Sequence, residues 1–438
     1  MSSIKLRTPK WAKLDENVKR DESTDDVDSF AADEEESEAL SALNEMTRST
    51  GRYTTDARKT SVLGAEQSTA QRLRDVTIGN NRGGRLRSIK FHPSHPILVT
   101  GAENGVIALY ELSKSAQNPT LKRDGKFFLQ DVAFKKCKIS SFHFYGDNAS
   151  AILVIPEMQR YCYSYDLLEG RVAQIYIPEL RRPSSAAPLE LGALSADGVL
   201  AAFLVHDTDV FVFVLKSMEH IHTFRGQSKV VDLCFSPTDR NVIYAFTTDG
   251  IVYVWDLRHR ADQAGFRDEG CVGATKISLS SNGQFIACGS STGVINVYET
   301  SRACCPPDDR TASARQFLAS EDEDREGNVG TLDALVGGGS RRFAKPIYTL
   351  NNLTTSTAFI NFNHDAQLMA FGSDVKAMAL RLLHVRSGRV YANFPAREEM
   401  LTREHWKCAA FSPHGAFLAF GNSGGRCRLY RLQHYARY

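Results

Sequence analysis

With 438 residues, 42% of them hydrophobic and 24% charged, the chain has the composition of a folded protein. Its longest apolar stretch, residues 199–215, is broken by His206, Asp207 and Asp209, so no membrane span is expected. The opening residues Met1-Ser2-Ser3-Ile4-Lys5-Leu6-Arg7 have no apolar core and no small-residue cleavage site, so no secretion signal is expected either. The net charge of +2 conceals an asymmetry: residues 15–38 hold twelve carboxylates against Lys19 and Arg20, which leaves +12 on the remainder. Such a division suits a partner bearing phosphates, a basic protein partner, or a basic face masked by the chain's own acidic segment.

Residues 1–68 are rich in Asp, Glu, Ser and Thr with few periodic apolar positions, so they are expected to form a disordered acidic tail. From about residue 70 one pattern recurs seven times: a short strand ending in an aromatic or Leu, a turn, a second apolar strand, a Gly/Ser/Asp turn, and a third strand ending in Tyr, Trp or Phe. The first copy contains Ile89-Lys90-Phe91-His92-Pro93 and closes on Tyr110-Glu111, and the fourth closes on a literal Trp255-Asp256. The fifth and seventh, around Leu279 and Phe411, match closely, while copies around Phe144, Leu194 and Phe362 are weaker but in phase. Register positions Phe91, Phe144, Leu194, Phe235, Leu279, Phe362 and Phe411 are 53, 50, 41, 44, 83 and 49 residues apart. The long interval contains an insertion at 301–342, expected to be a mobile loop. Fourth strands are expected near 127–132, 172–177, 220–224, 346–350 and 390–394. Few residues follow Tyr430, so the fourth strand of the last copy is expected from the segment 70–78, near 72–78. That exchange would close a ring and remove its open sheet edges. The expected architecture is all-β, one seven-bladed propeller over 69–438.

Little in the sequence carries chemistry. Gly289-Ser290-Ser291-Thr292-Gly293 and Gly421-Asn422-Ser423-Gly424-Gly425 match the nucleophile elbow, but that motif needs a strand-to-helix turn, and both lie at a strand-to-strand phase of the repeat. No phosphate-binding loop, dinucleotide fingerprint or zinc-protease motif is present, and nine scattered cysteines without a Cys-x-x-Cys pair read as core residues in a reducing compartment. No cofactor, no metal and no small-molecule substrate are expected. His92, His143 and His414 fall at or beside turns, where bonding to backbone is the ordinary role. Basic residues cluster at Arg72, Arg74, Arg82, Arg85 and Arg87, at Lys135, Lys136 and Lys138, at Arg181 and Arg182, at Arg258 and Arg260, and at Arg426, Arg428 and Arg431. The first four clusters are the candidate contacts to RNA or protein partners. No aromatics interleave with them, so backbone contacts are expected rather than base reading.

The seven copies resemble WD repeats over about 370 residues. More narrowly, Pro9-Lys10-Trp11 before the acidic segment, Gln71-Arg72-Leu73-Arg74-Asp75, Ile89-Lys90-Phe91-His92-Pro93 and the terminal Leu429-Tyr430-Arg431-Leu432-Gln433-His434-Tyr435 resemble the small nucleolar RNA-associated protein 18 family. That resemblance implies a non-enzymatic nucleolar scaffold of the small-subunit processome, joined to other WD-repeat proteins around precursor ribosomal RNA and the U3 small nucleolar RNA. In that family the tail can carry a Leu-Phe-x-hydrophobic-Asp motif that recruits the exosome-associated RNA helicase. Here Phe30 and Asp33 keep two of its positions, whereas Ser29 and Ala32 replace the apolar anchors. Two other readings stand beside it. Trp255-Asp256-Leu257-Arg258 resembles the motif of cullin-ligase substrate receptors, and a hydrolase could use the central channel of a propeller.

Overall fold

The structure is a computed structural model, and the residues it describes are 63–77, 84–112, 128–134, 137–157, 159–177, 189–205, 207–259, 261–304, 344–435 and 438. The expectations for residues 1–62, and for all but the first residues of the 301–342 insertion, lie outside them. The described strands form seven four-stranded antiparallel sheets. Six sheets take four consecutive strands, for example Val230–Phe235, Val242–Thr247, Ile251–Asp256 and Ala261–Arg267. The seventh takes Trp406–Phe411, Phe417–Asn422 and Cys427–Leu432, and its outer strand is Ala70–Arg72. The innermost strands touch in ring order, and Leu86–Phe91 of blade 1 lies against Trp406–Phe411 of blade 7, which closes a seven-bladed β-propeller.

Burial within each blade follows from position in the wheel. Second strands, such as Ala151–Pro156 and Leu200–Val205, are buried at every residue because sheets cover both their faces, so they read as unbroken apolar runs. Outer strands such as Val172–Tyr176 are largely exposed. The core lies between blades. Phe224 of blade 3 stacks on Trp255 of blade 4 at 5.1 Å with planes 4° apart, inside a cluster that includes Leu204, Ile243 and Tyr253. Inner strands share one irregularity: in six of seven the register slips at the second residue, as between Leu86 and Ser88 and between Trp406 and Cys408. Bulges of this kind twist a strand where it enters the narrow centre of the wheel. In blades 1, 4, 5 and 7 the second-to-third strand turn uses a left-handed glycine. Gly293 has φ 88°, and a Cβ there would stand 2.6 Å from the Thr355 carbonyl oxygen.

Three sequence expectations shift. The ring-closing strand is Ala70–Arg72, paired to Leu432–Tyr430, rather than a strand near 72–78. Beyond Arg72 the regular ladder stops; Arg72 reaches Asp75 at 3.5 Å, and single bonds from the Leu73 and Val76 amides to the Leu429 and Cys427 carbonyls continue the attachment. Residues 63–68, expected to belong to the disordered tail, lie against blade 6. Leu63 is 7% exposed, its amide donates to Gln367 Oε1 at 2.8 Å, and Tyr391 donates its hydroxyl to the Gly64 carbonyl at 2.7 Å. The insertion begins with one helical turn, Thr300–Ala303.

Candidate partner-binding face and central channel

Strands alternate in direction within a blade, so the start of each inner strand and each second-to-third turn lie on one face of the wheel, here called upper. Three predicted basic residues meet there at the junction of blades 1 and 2. The Arg85 carbonyl accepts the Glu103 amide and the Lys138 carbonyl accepts the Glu157 amide, each at 2.7 Å, so backbone bonds fix both segments while the Arg85 and Lys138 side chains are exposed. Arg87 lies between them, 3.5 Å from Glu103 and 3.7 Å from Glu157.

Other predicted residues are elsewhere. Arg72 and Arg74 follow the outer edge of blade 7, where Arg72 reaches Asp75 at 3.5 Å and Glu399 at 3.6 Å. Arg258 lies in the third-to-fourth turn of blade 4, on the lower face. Its guanidinium donates to Asp256 from Nε and Nη2 and to Asp239 Oδ2 at 2.7 Å. Those hydrogen bonds hold the Asp256 carboxyl below the usual range. Arg258 thus secures the turn that follows the Trp-Asp pair. Arg82, Lys135, Lys136, Arg181, Arg182, Arg260, Phe30 and Asp33 lie outside the described residues. The two elbow-like serines sit in strand-to-strand turns: Ser291 donates its hydroxyl to the Val272 carbonyl, and the Ser423 amide donates to the His405 carbonyl at 2.9 Å. Among the described residues no group of three or more His, Cys, Asp or Glu could hold a metal, and no helix is long and apolar enough to cross a membrane.

The inner strands enclose a cavity of about 410 Å³ that sequence reasoning did not single out. Four cations line it: Arg87 and Lys90 from blade 1, Lys276 from blade 5 and Lys407 from blade 7; one carboxylate, Asp232 of blade 4, lines it too. Lys276 reaches Asp232 at 3.2 Å, and Lys407 reaches Asp374 at 3.7 Å. Lys90 differs, because its amine meets His143 Nδ1 at 2.8 Å. His143 also bonds the Gly192 backbone of blade 3, which assigns the proton to Nε2 and leaves Nδ1 to accept from Lys90. His143 is therefore an inner-strand residue joining blades 1 to 3, not a turn residue. His92 does act at a turn, its Nδ1 accepting the Ser94 and His95 amides at 3.1 and 3.0 Å. Burial lowers the Lys90 amine to about 7 and pushes the His143 imidazole down. A signal for these residues existed: Lys90 and His143 each immediately precede a register aromatic, Phe91 and Phe144, while Asp232 and Lys276 stand three before Phe235 and Leu279.

A ring of seven four-stranded blades, closed by a strand from the other end of the chain, defines a WD-repeat β-propeller. The family described as WD domain, G-beta repeat matches residues 75–111 and 218–256. Across most of its length the chain is similar to proteins named U3 small nucleolar RNA-associated protein 18 homolog. The Caenorhabditis elegans protein is 27% identical over 372 residues, 84% of this chain and 75% of the relative. The Arabidopsis thaliana protein is 27% identical over 97% of this chain and 66% of the relative, and the human protein 26% identical over 80% and 54%. The chain thus spans between about half and three-quarters of these relatives' lengths. Within the WD-repeat propellers, the relatives it resembles carry the name U3 small nucleolar RNA-associated protein 18 homolog.

Proposed function

We propose that the protein is a non-catalytic scaffold of the small-subunit processome, acting in the nucleolus in precursor ribosomal RNA processing and so in assembly of the 40S subunit. The observation that carries this reading is similarity, through four-fifths or more of the chain, to relatives named for association with the U3 small nucleolar RNA. The architecture supports it. A ring closed by strand exchange is a rigid body, and its turns present fixed contacts on two faces and a rim. Arg85, Arg87 and Lys138 form a basic edge on the upper face suited to phosphates of an RNA backbone, read without regard to base. The partners are other WD-repeat processome proteins, precursor ribosomal RNA and the U3 RNA. Phe30 and Asp33 are the candidate contacts for an exosome-associated RNA helicase. The ubiquitin-ligase reading gains no support, because Arg258 of its motif is engaged by Asp256 and Asp239.

The test is in-cell ultraviolet crosslinking of the tagged protein, with sequencing of attached RNA and mass spectrometry of co-purified proteins. Recovery of precursor ribosomal RNA, the U3 RNA and other processome propellers is expected. Recovery of a cullin and its adaptor, with no ribosomal precursor, would overturn the proposal.

A further inference from the structure

The geometry points to a ligand site in the central channel for a compact molecule bearing several phosphate groups, held by Lys90, Arg87, Lys276 and Lys407. The observations converge on an anion. The cavity of about 410 Å³ is lined by these four cations and by a single carboxylate, Asp232. Its volume falls within the range of roughly 300–1,000 Å³ found for small-molecule sites. One cation there lacks a charge partner: Lys90 makes its hydrogen bond to a neutral imidazole, and no ion pair among the described residues includes it. The other cations reach their carboxylates through contacts of 3.2 to 3.7 Å that leave further N–H groups available. Asn361 also lines the cavity, its Nδ2 donating to the Ala409 carbonyl at 2.7 Å, which leaves its oxygen and second N–H for a polar ligand.

The arrangement also selects the shape of the anion. The cations come from blades 1, 5 and 7, so they stand along an arc of the ring rather than on one strand. A molecule that meets them together must display several negative groups on a small curved body. A polynucleotide carries its phosphates in file, and it could enter a closed ring only by threading a free end. A single carboxylate would satisfy one cation and leave the rest. The site shares Arg87 with the upper-face edge but does not depend on the exposed Arg85 and Lys138 or on the scaffold role. Lys90 also gives it a signature. With its amine at about 7, bound phosphate would draw a proton onto it. The groups around Lys90 are His143, held neutral by burial and by Lys90 itself, Arg87 on its own strand, Lys407 on the neighbouring blade 7, and Asp232 and Lys276 across the cavity.

The experiment is isothermal titration calorimetry of the full chain with inositol hexakisphosphate, and separately with inorganic phosphate, at pH 7 in two buffers of different ionisation enthalpy. Expected is one saturable hexakisphosphate site, with inorganic phosphate much weaker, and uptake on the order of half a proton by Lys90 on binding. Lys90→Met should weaken binding at least tenfold and abolish the uptake. Lys276→Met should weaken binding while the uptake persists. Arg171→Met, whose side chain is 83% exposed, should change neither. Circular-dichroism melts establish that each variant is folded, and Lys276→Met carries the test should Lys90→Met fail to fold. No hexakisphosphate binding overturns the site, as does binding that all three variants weaken alike, which would mark diffuse surface attraction. RNA crosslinked to channel residues and released by Lys90→Met, without hexakisphosphate binding, would assign the channel to an RNA end instead.

Discussion

Ser68 and Asn393 exchange two hydrogen bonds, the Ser68 amide donating to Asn393 Oδ1 at 2.9 Å and Asn393 Nδ2 donating to the Ser68 carbonyl at 2.8 Å. A side chain of blade 6 thereby pairs with the backbone two residues before the strand that closes blade 7, much as a neighbouring strand would. Asn393→Ala should cost about 1 kcal/mol, since the site is exposed and water replaces part of what is lost. Hydrogen exchange should show faster exchange at the Gln71 and Leu73 amides, with blades 2 to 5 unchanged.

Leu63 marks where the folded body begins. Its side chain is buried in the cluster with Val76, Tyr391 and Leu432, so Leu63→Ala should cost roughly 2–3 kcal/mol, the lower end of core truncations because the site is at the cluster's edge. Chemical denaturation checks this. No change in midpoint would mean that the segment before Ala70 adds nothing to the ring.

Arg258 serves the fold, so Arg258→Met should lower the denaturation midpoint at pH 7. Asp256 has its folded value depressed by Arg258, so this stabilisation is present above the unfolded Asp value of about 4 and fades as pH falls through the folded one. The gap between wild type and variant should therefore narrow in acid. A gap constant from pH 7 to pH 3 would contradict this.

Lys90 too has its folded value lowered, but by burial, so its charge costs stability instead of adding it. The unfolded chain holds its proton up to about 10.4, while the folded protein releases it near about 7, so in that window the unfolded state binds more protons and stability rises with pH. Below the window both states carry the charge and the cost of burying it is fully present. Lys90→Met should be most stabilising relative to wild type near pH 6.5, with the advantage shrinking toward pH 9.5. Urea midpoints at the two pH values provide the comparison.

The upper-face edge and the lower-face turn give separable outcomes in RNA crosslinking. Replacing Arg85 and Lys138 together by Gln should reduce recovered precursor RNA several-fold. Arg258→Lys, which keeps the charge but loses the planar fork to Asp256, should leave recovery unchanged. Equal loss in both would place the RNA contact elsewhere.

The wheel was legible because each blade repeats the same demand: two or three strands covered on both faces must be apolar, and in four blades the turn between the second and third strands carries a left-handed glycine. Phe91, Phe235 and Phe411 therefore recur in phase. The outer strands were harder to see. Ala261–Arg267, with Asp262, Gln263 and Gly265, bonds a neighbour on one edge only, and its clear apolar anchor is Phe266, so it carries little periodic signal. The closing strand is only three residues, Ala70–Arg72, the first half-buried and the next two exposed, so it leaves almost no apolar pattern to read. At the site, charge clustering along the chain found Arg85, Arg87 and Lys138 but missed Lys90, Lys276 and Lys407, which are brought together only by the geometry of the ring.

The attachment of residues 63–72 has a mechanical consequence. Tension on the chain upstream of Leu63 would first load the bonds to Gln367, Tyr391 and Asn393 of blade 6, before reaching the ladder between Ala70–Arg72 and Cys427–Leu432. Those contacts act as a cleat. A partner that hauls on the leading segment would strain blade 6 while the seam of the wheel stays shut, so the protein can serve as a mooring without being unwound by what is tied to it.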